Sequence, residues 1–377
     1  MKKKIIIIGS GIAGLTIANL LKKNSNFEFI IYEKEDALNL EEGFGIQLSV
    51  NSISILNKIG FDQINKKEIF CPAKLDFYSI DFKKICDLDL ESFNSSNEKY
   101  TTLQRSILIK FLKENLLSNS IVFRKKIKSV KKNGEKINIF FDDGSNEDAD
   151  HLIVSDGVFS NTKSIIENKT FHPTYYGATA IRTIIKNQDT FNLDNNNISL
   201  LMGSGAHLVM YPTNQSKQLN LVCIIRKKLE KKEDVNIILE NTIFKENKSL
   251  VNFFKGNTSS WPIYISGKPV KSIYKNVLYI GDAFYTFPPT MAQGASQAIE
   301  SANEIFNLIK DNHPNIKNMY FNNRVKRTNL IIKRSKFNYF IFHISNRILK
   351  GFRNKILKIL VKNKTFINSY LGKVYKK

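Results

Sequence analysis

The first 33 residues contain the feature that most constrains how this chain can fold. A short β-branched run at positions 4–8 leads into glycines 9, 11 and 14, and apolar residues then recur at helical spacing. A second apolar run, residues 27–32, ends at Glu33. This order predicts a buried strand, a helix and a second parallel strand, with the glycines in the first turn.

The glycines of this turn have the spacing of a dinucleotide-binding loop. Gly9 permits the tight turn, Gly11 lets the backbone approach a pyrophosphate, and Gly14 lets the helix pack closely on the strand. The helix N-terminus offers N–H groups to phosphates, and Glu33 is placed to accept hydrogen bonds from ribose hydroxyls. The alternative is an ordinary strand-to-helix turn beside a surface glutamate. The motif by itself does not separate NAD from FAD.

Positive charge is concentrated at one end of the chain. The 377 residues include 57 Lys and Arg against 34 Asp and Glu, a formal net charge of +23. Residues 324–377 contain 16 of these cations and no acidic residue, so the remainder is an ordinary, mildly basic globular protein. The sequence contains no recognised nucleic-acid-binding module, and we therefore expect no nucleic-acid partner.

Cysteine usage and hydropathy indicate the compartment. The three cysteines stand far apart and form no C-x-x-C pair, so we expect neither disulfides nor a metal site, as in a reducing cytoplasm. No apolar run approaches the roughly 18 to 20 residues of a membrane span. The basic, isoleucine-rich start imitates a signal peptide, but glycines interrupt the run at once. We therefore expect a cytoplasmic protein.

The remaining sequence alternates between two kinds of pattern. Alternating runs near 74–80 and 83–88, a hairpin at 126–141, and strands near 174–186, 207–211 and 219–225 indicate a second, mixed or antiparallel sheet. The fold class is therefore α/β, with a discontinuous Rossmann-like lobe, an inserted sheet and C-terminal helices. We place the nucleotide lobe at residues 1–73, 100–170 and 270–315, the inserted sheet at 74–99 and 171–269, and the basic helical segment at 316–377.

Two later strands also end in acidic residues. Asp156 and Gly157 follow a strand that begins at residue 151, and Asp282 follows a strand at 277–280. Gly294 and Ala295 then open a helix, whose N–H groups would stabilise the negative charge of a reduced isoalloxazine ring. The alternatives are an ordinary Asp-Gly turn and a strand followed by a capped helix.

In this order and at these separations, the three segments resemble single-component FAD-dependent aromatic hydroxylases with the para-hydroxybenzoate hydroxylase fold. The salicylate and 3-hydroxybenzoate hydroxylase branch is resembled most, through residues 43–48, 103–108 and 205–212. The likeness covers roughly residues 1–355. It implies FAD as cofactor, with NADH or NADPH as co-substrate. The FAD-binding residues that it implies are Gly9, Gly11, Ala13, Gly14, Glu33, Arg105, Asp156, Gly157, Asp282, Gly294 and Ala295.

The resemblance also implies a reaction. NADH or NADPH reduces the flavin, O₂ adds at C4a to give a hydroperoxide, and a phenolic or other aromatic small molecule, with or without a carboxylate, is hydroxylated. We expect a monomer or a homodimer. The chain departs from the family pattern at Phe284-Tyr285, at Lys163 and at Ser301. Lysine at position 163 keeps a charge but lacks the guanidinium fork, which puts the handling of the nicotinamide in doubt.

Two residues of the second sheet are candidates for contact with the substrate. His207 and Tyr211 are four apart on a predicted strand and so share a face, and the branch has a matching pair in its substrate pocket. A histidine is suited to taking the proton of a phenol; the alternative is a histidine satisfied within the sheet. By the same resemblance, Pro289 and Gln293 border the flavin and the oxygen site. Arg182 either pairs with a substrate carboxylate or lies in solvent.

Other functions fit the same fold. One alternative is an epoxidase, or a membrane-associated hydroxylase of a quinone precursor; another is a non-catalytic flavin protein that serves a partner. Residues 348–361 place apolar side chains at 349, 352, 356 and 360 on one helical face, with cations elsewhere. This helix either makes a peripheral contact with an anionic membrane or packs its apolar face on the FAD lobe.

Overall fold

The structure is a computed structural model. It describes residues 2–375 apart from 39, 41–43, 187–192, 229–238, 240–247, 255 and 257. Residue 43, which belongs to a segment that carries the family resemblance, and parts of the predicted inserted sheet within 171–269 therefore lie outside the described residues. No helix in the described part of the chain has both the length and the apolar character needed to cross a membrane.

Helices and strands alternate along the first half of the chain, and helices dominate its end. The helices are α1 (Ile12–Lys22), α2 (Val50–Asn57), α3 (Arg105–Glu114), α4 (Asn161–Glu167), α5 (Gly294–Lys310), α6 (Ile316–Phe342), α7 (Arg347–Leu360), α8 (Lys364–Ile367) and α9 (Lys373–Tyr375). The strands are β1 (Lys3–Ile8), β2 (Phe27–Tyr32), β3 (Gly45–Leu48), β4 (Ile69–Phe70), β5 (Lys74–Ser79), β6 (Lys84–Asp89), β7 (Thr101–Gln104), β8 (Ile121–Val122), β9 (Ile127–Asn133), β10 (Lys136–Phe141), β11 (Asn146–Ala149), β12 (His151–Val154), β13 (Thr174–Lys186), β14 (Ile198–Gly203), β15 (Ala206–Thr213), β16 (Gln218–Ile225), β17 (Thr258–Ile265) and β18 (Val277–Tyr279).

A parallel five-stranded sheet forms the predicted Rossmann-like lobe. Its strand order is β18-β12-β1-β2-β8, and Ile8 lies opposite Val154 on one side and Tyr32 on the other. Ile5, Ile6 and Ile7 are fully buried because helices cover the sheet. Parallel strands end at a common edge, so the turns after β1, β2, β12 and β18 meet there.

The second sheet has seven strands in the order β17-β13-β16-β15-β14-β5-β6. Its neighbours are antiparallel except β14 and β5, which run parallel, so the predicted mixed sheet is confirmed. Strand β14 has no counterpart among the predicted elements, because its Ile-Ser-Leu-Leu-Met-Gly sequence shows no alternation: all six residues are buried. The residue bounds assigned to the lobes remain a prediction.

Two small sheets complete the strand structure. The predicted hairpin at 126–141 is confirmed as β9 and β10. The expected turn at Asn133-Gly134 is off by one residue, because Asn133 still pairs with Lys136 and the turn residues are Gly134 and Glu135, with Gly134 at a φ of +57°. β11 adds a third strand to this hairpin. The other small sheet has the order β3-β7-β4, and β7 leads directly into Arg105 at the start of α3.

The C-terminal helices join the two lobes. Arg327 forms an ion pair with Glu300 of α5 at 2.6 Å, which ties α6 to the Rossmann-like lobe. Helix α7 contacts β6 of the second sheet instead. The interpretation that residues 349, 352 and 356 pack on the FAD lobe is wrong, since all three are exposed. The helix packs through a neighbouring face, on which Arg353 is buried and Leu357 and Leu360 are half-buried.

Candidate active site

The glycine loop after β1 leaves an open approach to the N-terminus of α1. Gly9 has a φ of +97°, and a Cβ there would lie 2.7 Å from the Ser155 carbonyl oxygen. A Cβ on Gly14 would lie 2.0 Å from the Gly9 carbonyl oxygen, whereas nothing lies within 4 Å of the corresponding position on Gly11. Packing thus requires glycine at two positions, and the third leaves space for a phosphate.

Glu33 follows β2 and lies against this loop. Its Oε2 accepts hydrogen bonds from the backbone N–H of Ser10 at 2.8 Å and from the Ser10 hydroxyl at 2.7 Å. The carboxylate is therefore held beside the loop by its own protein contacts. That position agrees with the expected place of a ribose-binding acid, and the ribose contact itself remains a prediction.

One carboxylate oxygen of Asp156 has no partner among the described residues. Its Oδ2 accepts a hydrogen bond from the Thr162 backbone N–H at 3.2 Å, while Oδ1 is buried and receives no hydrogen bond from the described part of the chain. Burial raises the pKa of this carboxyl. Because buried polar atoms are nearly always hydrogen-bonded, an orphaned oxygen at this sheet edge is the atom that a bound ligand would satisfy. Gly157 follows with a φ of +85°.

Asp282 lies in the turn after β18, where it lines a cleft. Its side chain has an exposed surface, yet protein surrounds it closely enough to raise its pKa to about 6, with the positive charge of Arg105 acting in the opposite direction. A side chain that faces a groove wide enough for a ligand has both an exposed surface and a pKa raised by the surrounding protein. An acid with a nearby guanidinium can hold a polyol hydroxyl while the cation faces a phosphate.

Two residues that depart from the family pattern, Ser301 and Lys163, hold the turn after β18 that contains Asp282. Ser301 accepts a hydrogen bond from the Gly281 backbone N–H at 3.1 Å. Lys163 is buried and donates to the Ala283 carbonyl at 2.9 Å. The lysine ammonium therefore holds the turn. Ala13 packs under the turn, since a Cβ added to Gly281 would lie 3.0 Å from the Cβ of Ala13.

The N-terminus of α5 faces a large cavity. Gly294 and Ala295 line this cavity, and the helix begins without a side-chain cap, so its first N–H groups remain available to a ligand. Pro289 also lines the cavity. Gln293 does not: it is buried, and its amide contacts the Ser49 hydroxyl and the Gln297 side chain. The structure thus gives Gln293 a role in holding the start of α5.

The cavity has a volume of about 340 Å³ and mostly apolar walls. One wall is the face of the seven-stranded sheet, a second is the turn that precedes α5, and a third is formed by α6, α7 and the last described residues. Polar groups are few. The polar side chains of the lining include Gln47, Arg182, His207, Tyr211 and Asn338.

His207 lines the cavity and is tied to the surface through a second histidine. Its Nδ1 lies 2.6 Å from Nε2 of His343, and Arg226 donates from Nε to Nδ1 of His343 at 3.0 Å. Arginine is always a donor, so His343 must carry its hydrogen on Nε2 and donate to His207. His207 then carries its own hydrogen on Nε2. Burial lowers the pKa of both imidazoles, which keeps the pair neutral.

Tyr211 lines the same cavity, but its hydroxyl is already used. It donates to the Gly45 carbonyl at 2.6 Å, and Asn220 accepts from the Gly45 backbone N–H, also at 2.6 Å. A Cβ on Gly45 would lie 2.8 Å from both side chains. Burial raises the pKa of Tyr211. The tyrosine thus fixes the strand that borders the cavity, and its ring contributes to the wall.

Arg182 extends from β13 into the cavity wall. Its guanidinium lies 5.6 Å from the ring centroid of Trp261, and its buried Nε has no hydrogen-bond partner in the described part of the chain. The interpretation of a solvated strand residue is therefore wrong. A planar cation with an unsatisfied donor beside an apolar cavity can bind a carboxylate or another anionic oxygen.

Sequence reasoning missed the partners of His207. His343 is 136 positions away along the chain, and Arg226 lies in the turn after β16, so no local pattern links the three. It also missed the part of the cavity formed by the chain end, where Phe366, Tyr370 and Tyr375 contribute to the wall. The available signal was an aromatic content in residues 366–375 that a solvated basic tail does not need.

Comparison with known proteins places this geometry in a family. The FAD binding domain family matches residues 2–311. A 3-hydroxybenzoate 6-hydroxylase of Aquipseudomonas alcaligenes is 26% identical over 324 residues, 80% of this chain and 79% of that protein. The fold matches a Klebsiella pneumoniae HpxO structure with FAD and uric acid (TM-score 0.84, 17% identity, 99% and 96% of the two chains). It also matches a salicylate hydroxylase substrate complex (TM-score 0.81, 18% identity, 100% and 96%). The chain belongs to the FAD binding domain family and is an FAD-dependent monooxygenase.

Proposed function

We propose that this monooxygenase hydroxylates a phenolic or other aromatic small molecule, with NADH or NADPH as electron donor and O₂ as the oxygen source. One observation carries the proposal: the open N-terminus of α5 and the side chains of His207 and Arg182 line a single cavity of about 340 Å³. That volume accommodates an aromatic ring beside a flavin edge.

The residues present fit FAD. The glycine loop leaves space above α1, Asp156 has an orphaned buried oxygen, and Asp282 faces a cleft near Arg105. When bound, FAD supplies the redox and oxygen-activating chemistry of the reaction. We assign its binding to Gly9, Gly11, Ala13, Gly14, Glu33, Arg105, Asp156, Gly157, Asp282, Gly294 and Ala295.

The chain's own residues exclude water and orient the ring. Leu75, Phe77 and Leu200 belong to the sheet face that walls the cavity, so an aromatic ring replaces water there at little cost. His207 donates a hydrogen from Nε2, since Arg226 and His343 fix its tautomer. A hydrogen-bond donor at this position stabilises a phenolate or carbonyl oxygen of the substrate. The site therefore favours a substrate with an electron-rich ring. We therefore infer that His207 binds the substrate oxygen as a donor.

Arg182 favours a substrate with a second oxygen function. Its buried, unsatisfied Nε and its position in the cavity wall suit a carboxylate or an enolate. The mostly aliphatic and aromatic walls also suit the alternative of a lipophilic quinone precursor. A flavin protein without turnover does not need a cavity that joins these donors to the α5 N-terminus, and hydroxylation is therefore the better-supported function.

The experiment is a screen of hydroxybenzoates, hydroxylated heterocycles and lipophilic phenols with the purified yellow protein. NADH and NADPH oxidation is followed with and without each compound, and products are identified by mass. We expect a compound that is a substrate to accelerate the oxidation of NADH or NADPH. We also expect that compound to yield a product heavier by one oxygen atom. If the flavin stays oxidised under both donors with every compound, the proposed function is wrong.

A further inference from the structure

Helix α7 presents an apolar face to solvent. Every large apolar side chain on this face is more than half exposed. The spacing of one, three or four residues places them along one side of the helix. They define the α7 outer face: Ile348, Leu349, Phe352, Ile356 and Ile359.

These side chains are part of a wider concentration. The described residues contain twelve large hydrophobic side chains that are strongly exposed, and seven of them lie between Phe337 and Ile359. Scattered exposed hydrophobics are ordinary, whereas a cluster of this size marks a binding surface. Phe337 lies beside the cavity, so the cluster reaches the wall of the active site.

Exposed cations lie along one side of the α7 outer face and in the residues that follow the helix. Five exposed lysine and arginine side chains occur between residues 347 and 364, and none forms an ion pair with an acid in the part of the chain that the structure describes. Because residues 324–377 contain no acidic residue at all, a second copy of this surface would be repelled. The five cations are Arg347, Lys355, Lys358, Lys362 and Lys364.

We propose that α7 docks the protein on an anionic lipid bilayer. An apolar helical face with a cationic border lies in the membrane interface, where the apolar side chains insert and the cations contact lipid phosphates. Charge complementarity selects this occupant over a second copy of the chain. Phe352 and Ile356 would enter the bilayer, and the opposite side of the helix would stay on the protein.

Docking in this way brings the active site to the membrane. The inner side of α7 contributes Leu357 and Leu360 to the cavity wall, so one helix thickness separates the cavity from the bilayer. The assignment of a substrate rests on the proposed function. With that function, this geometry favours lipophilic aromatic compounds that partition into the membrane. The docking itself does not depend on turnover.

Vesicle flotation of the flavin-loaded protein without NADH or NADPH tests the docking. We expect flotation with vesicles that contain phosphatidylglycerol and little with pure phosphatidylcholine. Phe352→Ser/Ile356→Ser/Ile359→Ser should reduce binding roughly ten-fold or more. The control Leu117→Ser/Ile273→Ser/Met319→Ser removes three other exposed large apolar side chains that lie outside α7 and should bind as the wild type does.

A charge variant separates the two contributions. Lys355→Gln/Lys358→Gln/Lys362→Gln should weaken binding about five-fold for each removed charge at low salt, and less at high salt. Equal binding to both vesicle types, or a dimer in sedimentation that the serine variant dissociates without any flotation, would overturn the docking. The monooxygenase assay is run separately on micellar substrate, so failure of one proposal is distinguishable from failure of the other.

Discussion

The hydrogen position on His207 is the most direct prediction of the structure, because it decides whether this residue donates to the substrate or accepts from it. Arg226→Met removes the donor at the outer end of the histidine pair. We expect the His207–His343 pair to lose its preference for one tautomer, so that His207 carries its hydrogen on Nδ1 in about half of the variant molecules. In the wild type it should be on Nε2.

The contacts set the size of this preference. In the opposite tautomer, His343 would carry a hydrogen on Nδ1, facing the Nε–H of Arg226, and the 3.0 Å hydrogen bond would be lost. A hydrogen bond to a charged group contributes about 1.5–3 kcal/mol. Arg226 is exposed, so the lower end of this range applies, and about 1.4 kcal/mol is a factor of ten. Roughly nine in ten wild-type molecules should therefore have His207 in the Nε2–H form.

The assay is a long-range ¹H–¹⁵N correlation spectrum of protein with ¹⁵N-labelled histidine. The chain has five histidines, so His207→Gln and His343→Gln suffice to assign the pair. Arg226→Lys is the matched control, since it keeps a cationic donor and should retain the wild-type form. A wild-type spectrum with the His207 hydrogen on Nδ1, or one that Arg226→Met leaves unchanged, would refute the reasoning and restore His207 as a base.

Three further outcomes are expected. Gly14→Ala places a methyl group 2.0 Å from the Gly9 oxygen, so the purified protein should contain little FAD by absorbance. The raised pKa of Asp282 means that the contribution of this residue to stability falls as the pH rises from about 4 to about 6. Asp282→Asn should therefore raise the free energy of unfolding of flavin-free protein at pH 8 but not at pH 4, by at most about 1 kcal/mol because the side chain is exposed; thermal unfolding at the two pH values measures this. Tyr211→Phe leaves the Gly45 oxygen without its donor and should cost about 1–2 kcal/mol in urea unfolding, with turnover nearly unchanged; a large loss of turnover at full stability would instead make the hydroxyl catalytic.

The motifs at the edge of the parallel sheet were predictable because the rule behind them is local. Each strand ends at a glycine or an acid, and parallel strands must end at one edge, so Gly9, Glu33, Asp156 and Asp282 converge without knowledge of the remaining fold. The hairpin of β9 and β10 was predictable for a similar reason, since an Asn-Gly pair between two alternating runs is a local turn signal, although the turn itself lies one residue later at Gly134-Glu135.

The contacts of the cavity could not be predicted in this way. His207 depends on His343, which reaches it only because α6 crosses the second sheet. Hydrophobic periodicity could not predict the orientation of α7 either. Leu360 and Phe352 lie on adjacent faces of the helix, and only tertiary packing decides which face turns inward. Tertiary contacts likewise gave Lys163 a structural role that its position in the motif did not suggest.

The order of strands in the parallel sheet has a consequence for how the protein matures. β1 lies within the first eight residues, yet it pairs with β12, and β12 in turn pairs with β18 near residue 277. In the second sheet, β14, β15 and β16 pair with strands that are close in sequence. The groove for FAD exists only after about three quarters of the chain has been synthesised, and closing such long loops is slow. FAD therefore binds at a sheet edge that no shorter N-terminal fragment can complete, and its binding stabilises that sheet.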